Sequence, residues 1–270
     1  PWDFYSYKVE SKGALPIATI LTLAATGSEM NAGTVVTNLK TKEKNGWESP
    51  FTNPKFSILD PENTYTVSYH QTGCGIVDSL THVYEFYFSN ENAYLNDRVC
   101  EGIMKTIIHY GPIALKNPSD YEARSNLMFG STLALNGVSG FAKDFEGFNH
   151  TTEHVLSAFY DIAHADGLAV LAPHWMEYIL SEKTVDKFYE FAVNVWGVHP
   201  GDDKMDIALK GIKKVFEYYK SLDMPLYLKD LNIIDPPLDE IVSKAVKNNN
   251  IGRYVSLTKD DVKNILVRAL

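Results

Sequence analysis

Two periodicities divide the chain. Near its start the apolar positions fall in short runs, the longest being Ala14-Leu15-Pro16-Ile17-Ala18-Thr19-Ile20-Leu21-Thr22-Leu23. Nearly continuous apolar content of this kind predicts a buried strand. It gives way to Ala24-Ala25-Thr26-Gly27-Ser28-Glu29-Met30-Asn31, a loop of small and polar residues. Thr34-Val35-Val36-Thr37 and Phe56-Ser57-Ile58-Leu59-Asp60 read as further short strands, and Asp60-Pro61-Glu62-Asn63 as a turn.

From about Tyr69 the period becomes helical. Ser119 with Glu122 has the form of a capping box ahead of a helix that stops near Gly137. Thr184 opens another, closed by Gly197. Asp203 to Leu222 carries Ile207, Ile212, Val215, Phe216 and Tyr219 at near-helical spacing, ended by Met224-Pro225. Thr258 with Asp261 caps a last helix running to Leu270. The expected architecture is therefore an α/β remnant over residues 1–68, followed by an all-α domain over 69–270.

Composition narrows the function. The 270 residues are 45% hydrophobic and 22% charged, enough apolar content to bury a core. With 34 acidic against 25 basic residues the formal charge is −9, which argues against nucleic acid as a partner. An anionic cofactor is still compatible, because a helix N-terminus or one local lysine overrides net charge at short range. Two cysteines, Cys74 and Cys100, make no disulfide framework and point to a reducing, cytoplasmic setting. The apolar stretch Ala14–Ala25 is too short to cross a membrane.

The chemistry lies in the histidines. His70, His109, His174 and His199 stand apart from any metal-like spacing and read as structural or solvent-facing. Asp78 and His82 are four residues apart, so on a helix they share one face. Alone, that spacing more often marks a surface pair. His150 and His154 repeat it, and His164 follows ten residues later. Three histidines in fifteen residues among apolar neighbours are costly to bury without partners. Together with Asp78 and His82 they favour a mononuclear site of three imidazoles and one carboxylate, suited to Fe²⁺ or Zn²⁺. Spacing alone makes His150 and His154 the natural pair. The Thr22–Asn31 segment reads either as a phosphate or carboxamide cradle or as an ordinary capped turn. Lys44, inside Lys40-Thr41-Lys42-Glu43-Lys44-Asn45-Gly46, reads as part of a solvated hairpin tip.

The Thr22–Asn31 loop, Asp60-Pro61, Gly75-Ile76-Val77-Asp78-Ser79-Leu80-Thr81-His82 and the His150/His154/His164 block resemble iron-containing (group III) alcohol dehydrogenases, in the same order and at similar separations. Gly167-Leu168-Ala169-Val170-Leu171-Ala172-Pro173-His174-Trp175-Met176 is similar to the butanol dehydrogenase branch. The resemblance covers essentially the whole chain. It implies the iron-type alcohol dehydrogenase fold, also called dehydroquinate synthase-like. In that fold 1–68 is the end of a nucleotide-binding domain and 69–270 the metal-binding catalytic domain.

By the same resemblance Asp78, His82, His150 and His164 are the metal ligands, with iron or zinc as the metal. His154 lies beside the nicotinamide in a proton-relay role. Thr22, Thr26 and Asn31, with Lys44 and Thr66, contact NAD or NADP. The implied reaction moves a hydride between a butanol-like primary alcohol and NAD(P), in a homodimer. The family's glycine-rich pyrophosphate loop is implied upstream of Pro1, so the chain reads as part of a longer polypeptide. Ala165-Asp166-Gly167 departs from the branch, where Gly often follows the second-helix ligand. Phe148 and Trp175 are expected to wall the substrate pocket.

A geometric constraint accompanies the His150–His164 pairing. Fourteen residues of unbroken helix would separate the two by roughly 21 Å, too far to share one ion. The helix carrying His150 must therefore break between Phe159 and Ala163, around Tyr160-Asp161. Two rival readings use the same residues. One is a metal-dependent hydrolase, for which Glu153 is the local acid/base candidate. The other is a non-catalytic fragment whose metal only staples helices.

Overall fold

The computed structural model describes residues 2–270. A short helix, α1 (Trp2–Tyr5), precedes four strands: β1 (Ala18–Ile20), β2 (Gly33–Asn38), β3 (Glu43–Glu48) and β4 (Phe56–Ile58). β2 and β3 form an antiparallel hairpin, against which α1 rests through a 3.0 Å hydrogen bond between the Tyr5 and Thr34 hydroxyls. β1 pairs in parallel with β4, Ala18 opposite Phe56.

The buried strand predicted over Ala14–Leu23 is thus only three residues long, and it is not buried. Ile20 is 62% exposed and its partner Ile58 47%. Among the described residues β4 is its one ladder partner, and a two-stranded parallel pair covers neither of its own faces. Asp60–Pro61 opens a 3₁₀ turn over Pro61–Thr64, capped by the Asp60 carboxylate accepting from the Glu62 N–H at 3.0 Å.

Ten helices in all are described. α2 (Tyr69–Tyr87) starts where the period changes, with Ser68 Oγ accepting from the Gln71 N–H at 3.2 Å. α3 (Tyr94–Lys116), α4 (Tyr121–Leu135), α5 (Phe148–Tyr160) and α6 (His164–Ile179) surround it, and α7 (Val185–Asn194), α8 (Lys204–Ser221), α9 (Leu238–Ala245) and α10 (Lys259–Arg268) complete the helical part. From Thr72 to Glu85 every residue of α2 is buried. A helix enclosed on all sides needs an apolar surface all round or partners for its polar groups. α2 has Ile76, Val77, Leu80, Val83 and Tyr84 for the first, and Asp78, His82 and Glu85 for the second. Among the described residues no helix is long and apolar enough to cross a membrane.

Two predicted caps move. Asp120, not Ser119, caps α4, because its carboxylate reaches the Ala123 N–H at 2.9 Å. Thr184 precedes α7, but its hydroxyl donates to the Ile179 carbonyl at 2.8 Å and accepts from the Ser181 N–H, so it closes the preceding turn instead. Asp203 caps α8, and Thr258 with Asp261 forms the capping box of α10.

The Thr/Gly/Ser loop is pinned to this bundle. Ser79 Oγ donates to the Ala25 carbonyl at 3.1 Å, and the Thr132 hydroxyl bonds the buried carboxylate of Glu29. Gly75 permits the approach: a Cβ there would come 2.1 Å from the Ala24 carbonyl oxygen. G75A should therefore push the loop off α2 at about 1–3 kcal/mol. Thermal denaturation should show Tm lowered by about 2–10 °C.

Glu146 ties the end of α2 to the segment before α10. Its carboxylate accepts from the Arg253 and Tyr254 N–H groups at 2.7 and 2.5 Å, and its own N–H donates to the Glu85 carbonyl at 2.8 Å. Burial pushes its carboxyl up from 4.5 to about 7, against those two donors. A raised acid holds its proton more tightly when folded, so stability should fall from about pH 4.5 to about pH 7 and level off above. E146Q should flatten that decline in chemical denaturation, with little change at the acid end.

Candidate metal centre

One turn of helix separates Asp78 from His82 on α2, and the rings of His82 and His150 stack with centroids 4.4 Å apart. α5 brings His150 alongside and then stops. Its last helical residue is Tyr160, Asp161 takes the left-handed conformation at φ 52°, and α6 begins at His164. The chain reverses at the break expected around Tyr160-Asp161, so His164 returns to the level of His150.

The result is a convergence on one atom. Asp78 Oδ1 lies 3.7 Å from His82 Nδ1, 3.6 Å from His150 Nε2 and 3.6 Å from His164 Nε2. These separations are too long for hydrogen bonds. They are close to the edge of a tetrahedron of bonds about 2.1 Å long, which is about 3.4 Å. Asp78 Oδ1, His82 Nδ1 and His150 Nε2 are all buried without a hydrogen-bond partner among the described residues. Buried polar atoms left this way cost about 1–3 kcal/mol each, and a cation bound to all of them removes that cost. Three imidazoles and one carboxylate form a donor set suited to Fe²⁺ or Zn²⁺. The group fits.

Electrostatics agrees at two of the ligands and differs at a third. Burial would lower His150, but the Glu85 and Asp78 carboxylates raise it to about 10, so an ion there would have to displace a proton from that ring. Burial alone would raise the Asp78 carboxyl, but the surrounding imidazoles, His82 first, hold it well below its ordinary range, so it is ionised. Burial pushes His82 down to about 3, which leaves a neutral ring able to donate a lone pair.

Two further carboxylates set the rings. Glu85, on α2, bonds His150 Nδ1 and accepts from the Asn149 N–H at 2.7 Å. Glu153, on α5, bonds His164 Nδ1 and takes the Ser157 hydroxyl and Lys44 Nζ, the latter at 3.2 Å. Both are fully buried. In each case Nδ1 is engaged by a carboxylate and Nε2 is turned toward Asp78, the arrangement that orients histidine ligands. Glu85 had no sequence signal except its place seven residues after Asp78 on the same helix. Glu153, the hydrolase reading's acid/base candidate, is instead enclosed against His164.

Lys44 is not a solvated hairpin tip. It lies within β3, and its Nζ reaches Glu153 and, at 3.3 Å, His164 Nδ1. Among the described residues His154 forms no ion pair with Asp78, but a ligand atom of its ring lies within 4.8 Å of Glu153 and His164, with ring centroids of His154 and His164 5.4 Å apart. Burial, with His164 and Lys44 close by, lowers its pKa, so this ring is neutral too. His154, Lys42, Lys44, Lys244 and Lys247 line a cleft of about 600 Å³, a basic recess in an acidic protein.

The other cofactor candidates are not gathered in that cleft. Thr22, Thr26 and Thr66 are exposed, and Asn31 bonds the Thr26 carbonyl and the Gly33 N–H, bracing the loop. Phe148 and Trp175 are wholly buried and stack on each other at 6.3 Å, which makes them core residues and not pocket walls. His174 is structural as expected, Nε2 meeting the Leu226 carbonyl at 3.1 Å. His70 is not isolated: it adjoins Cys74 and Asp166.

Known proteins share this arrangement of helices. Residues 72–270 match the family described as "Fe-containing alcohol dehydrogenase family, C-terminal", and residues 1–61 match "Iron-containing alcohol dehydrogenase". NADH-dependent butanol dehydrogenase B of Clostridium acetobutylicum is 46% identical over 100% of this chain and 70% of its own length. The NADPH-dependent aldehyde reductase YqhD of Escherichia coli is 34% identical over 95% of this chain and 66% of its own. The crystal structure of NADH-dependent butanol dehydrogenase A from Thermotoga maritima superposes with a TM-score of 0.93 at 37% identity, covering 99% of this chain and 69% of that one. The chain thus spans about 70% of the length of such relatives. The chain belongs to the iron-containing alcohol dehydrogenase family, whose members are metal-dependent, NAD(P)-linked alcohol dehydrogenases and aldehyde reductases.

Proposed function

We propose that Asp78, His82, His150 and His164 hold one catalytic divalent metal, iron in the first instance, in an enzyme that interconverts a butanol-like primary alcohol and its aldehyde. The observation that carries this is Asp78 Oδ1, buried, unpartnered and flanked by three imidazole nitrogens at 3.6–3.7 Å. When bound, the metal supplies Lewis acidity toward the alcohol or carbonyl oxygen and the nicotinamide the two-electron chemistry. The rest is the work of the chain. Glu85 and Glu153 hold His150 and His164 in the tautomer that turns Nε2 inward. His154, neutral and on the cleft side, takes the hydroxyl proton in oxidation and returns it in reduction.

In this reading residues 1–68 are the end of the nucleotide-binding domain and 69–270 the catalytic domain. Lys44, Thr22, Thr26, Asn31 and Thr66 contact the cofactor, and the lysine-lined cleft beside His154 supports an anionic one. The relatives' names cover both NADH and NADPH, and butanol as well as aldehyde substrates. The family resemblance supports a homodimer, and the two cysteines, which make no disulfide framework, support a cytoplasmic setting. The hydrolase and metal-staple alternatives lose ground to the family match and to the engagement of Glu153 by His164.

D78A or H164A should abolish metal binding and activity together, as read by elemental analysis and aldehyde-dependent NAD(P)H oxidation. H154A should retain the metal and lose about 10²-fold or more in kcat. Metal loss in H154A with retention in H164A would reverse the ligand assignment. E85Q and E153Q should keep the fold and weaken metal affinity about 10–100-fold; unchanged affinity in both would show that these carboxylates do not orient ligands.

A further inference from the structure

α2 carries a second pair at the same spacing, one turn before Asp78. His70, Cys74, Asp78 and His82 fall at successive four-residue intervals, so they form one stripe along the helix. α6 meets the stripe twice: His164 faces Asp78, and Asp166 faces His70. His70 Nε2 lies 3.5 Å from Cys74 Sγ and 3.3 Å from Asp166 Oδ2. All three ligand-type atoms lie within 4.8 Å of one another.

A hydrogen bond from His70 to one of the two partners accounts for only part of this convergence. A single ring nitrogen offers one proton or one lone pair, so it serves either the thiol or the carboxylate. Asp166 is 8% exposed, and its Oδ1 has no partner among the described residues. A tetrahedral ion with bonds of about 2.3 Å to sulfur and about 2.0 Å to nitrogen and oxygen has S–N and N–O edges of about 3.5 and 3.3 Å. The two contacts have these lengths.

We infer that His70, Cys74 and Asp166 form a second metal site, of the zinc type, that pins the first turn of α6 to α2. The donor set is soft enough to select Zn²⁺ over hard cations such as Mg²⁺. A cavity of about 570 Å³ opens onto His70 and Asp166, with Asp223 and Asp230 in its wall beside Lys220. It provides a path by which an ion reaches His70 and Asp166. Burial pushes the Cys74 thiol up to about 12, so without an ion it is an inert thiol and not a reactive nucleophile. The pin holds the helix that supplies His164 in register with the helix that supplies Asp78 and His82.

Cobalt substitution separates the two sites, because only a thiolate ligand gives a near-ultraviolet sulfur-to-cobalt charge-transfer band. The metal-free full-length protein titrated with Co²⁺ should bind two equivalents and develop that band. C74S should lose the band and one equivalent. H70A, at an exposed position that the fold tolerates, should weaken the same equivalent at least tenfold and leave the other. D78A should keep the band and lose the other equivalent. A wild-type protein without the band, or a band that persists in C74S, overturns the inference. A band without a second equivalent in the wild type supports this site and counts against the Asp78 centre instead.

Discussion

A carboxylate enclosed in the middle of a helix is the constraint from which the rest of this structure follows. Asp78 lies on α2 at a point buried on every side, and an isolated ionised group there would cost several kcal/mol. The three imidazoles offset part of that cost, and an ion between them and the carboxylate oxygen would offset more while satisfying the unpartnered ring nitrogens. The separations of 3.6–3.7 Å leave room for one ion and are too long for direct bonds. The neighbouring elements are arranged to supply those imidazoles.

Backbone geometry does this economically. α2 provides two donors from one face, and α5 provides the third. The fourth needs a chain reversal, which the left-handed Asp161 and the three residues 161–163 supply. Glu85 and Glu153 lie on the same two helices as the first three donors, so each helix carries a ligand and also the carboxylate that aims a ligand. Lys44 reaches Glu153 from β3, which couples the hairpin to the helical part through one buried ion pair. The loop of Ala24–Asn31 is held by Ser79 and Thr132, so the segment expected to touch the cofactor is registered against the helix that bears Asp78.

The helical half was largely legible in the amino-acid sequence, whereas spacing alone paired His150 with His154 and the pairing of His150 with His164 came from the family resemblance. The onset at Tyr69, the helix beginning at Asp203 and the cap at Thr258 rest on local rules of spacing and capping, while the break before His164 follows from the family pairing of His150 with His164 together with the rise of a helix. The strand-rich half was less so. A run such as Ala14–Leu23 reads as buried from its composition, but burial depends on what lies across its faces, and a short window does not contain that. α3 is obscured in the sequence by Gly111-Pro112 inside it, where a proline ordinarily signals an end. Glu85, Glu153 and Lys44 were hidden for another reason: a charge on a helix or hairpin reads as solvated unless its long-range partner is known, and these partners lie 65, 11 and 109 residues away. His70 gives no local signal for the same reason, since its partner Asp166 belongs to another helix.

The most direct test is anomalous diffraction at the iron edge from crystals of the full-length protein loaded with Fe²⁺. The account predicts an iron peak enclosed by Asp78, His82, His150 and His164, with Glu85 and Glu153 bonded behind two of the rings and His154 on the cleft side, outside bonding distance. An iron peak coordinated by His154 in place of His164, or one away from Asp78 altogether, would contradict it.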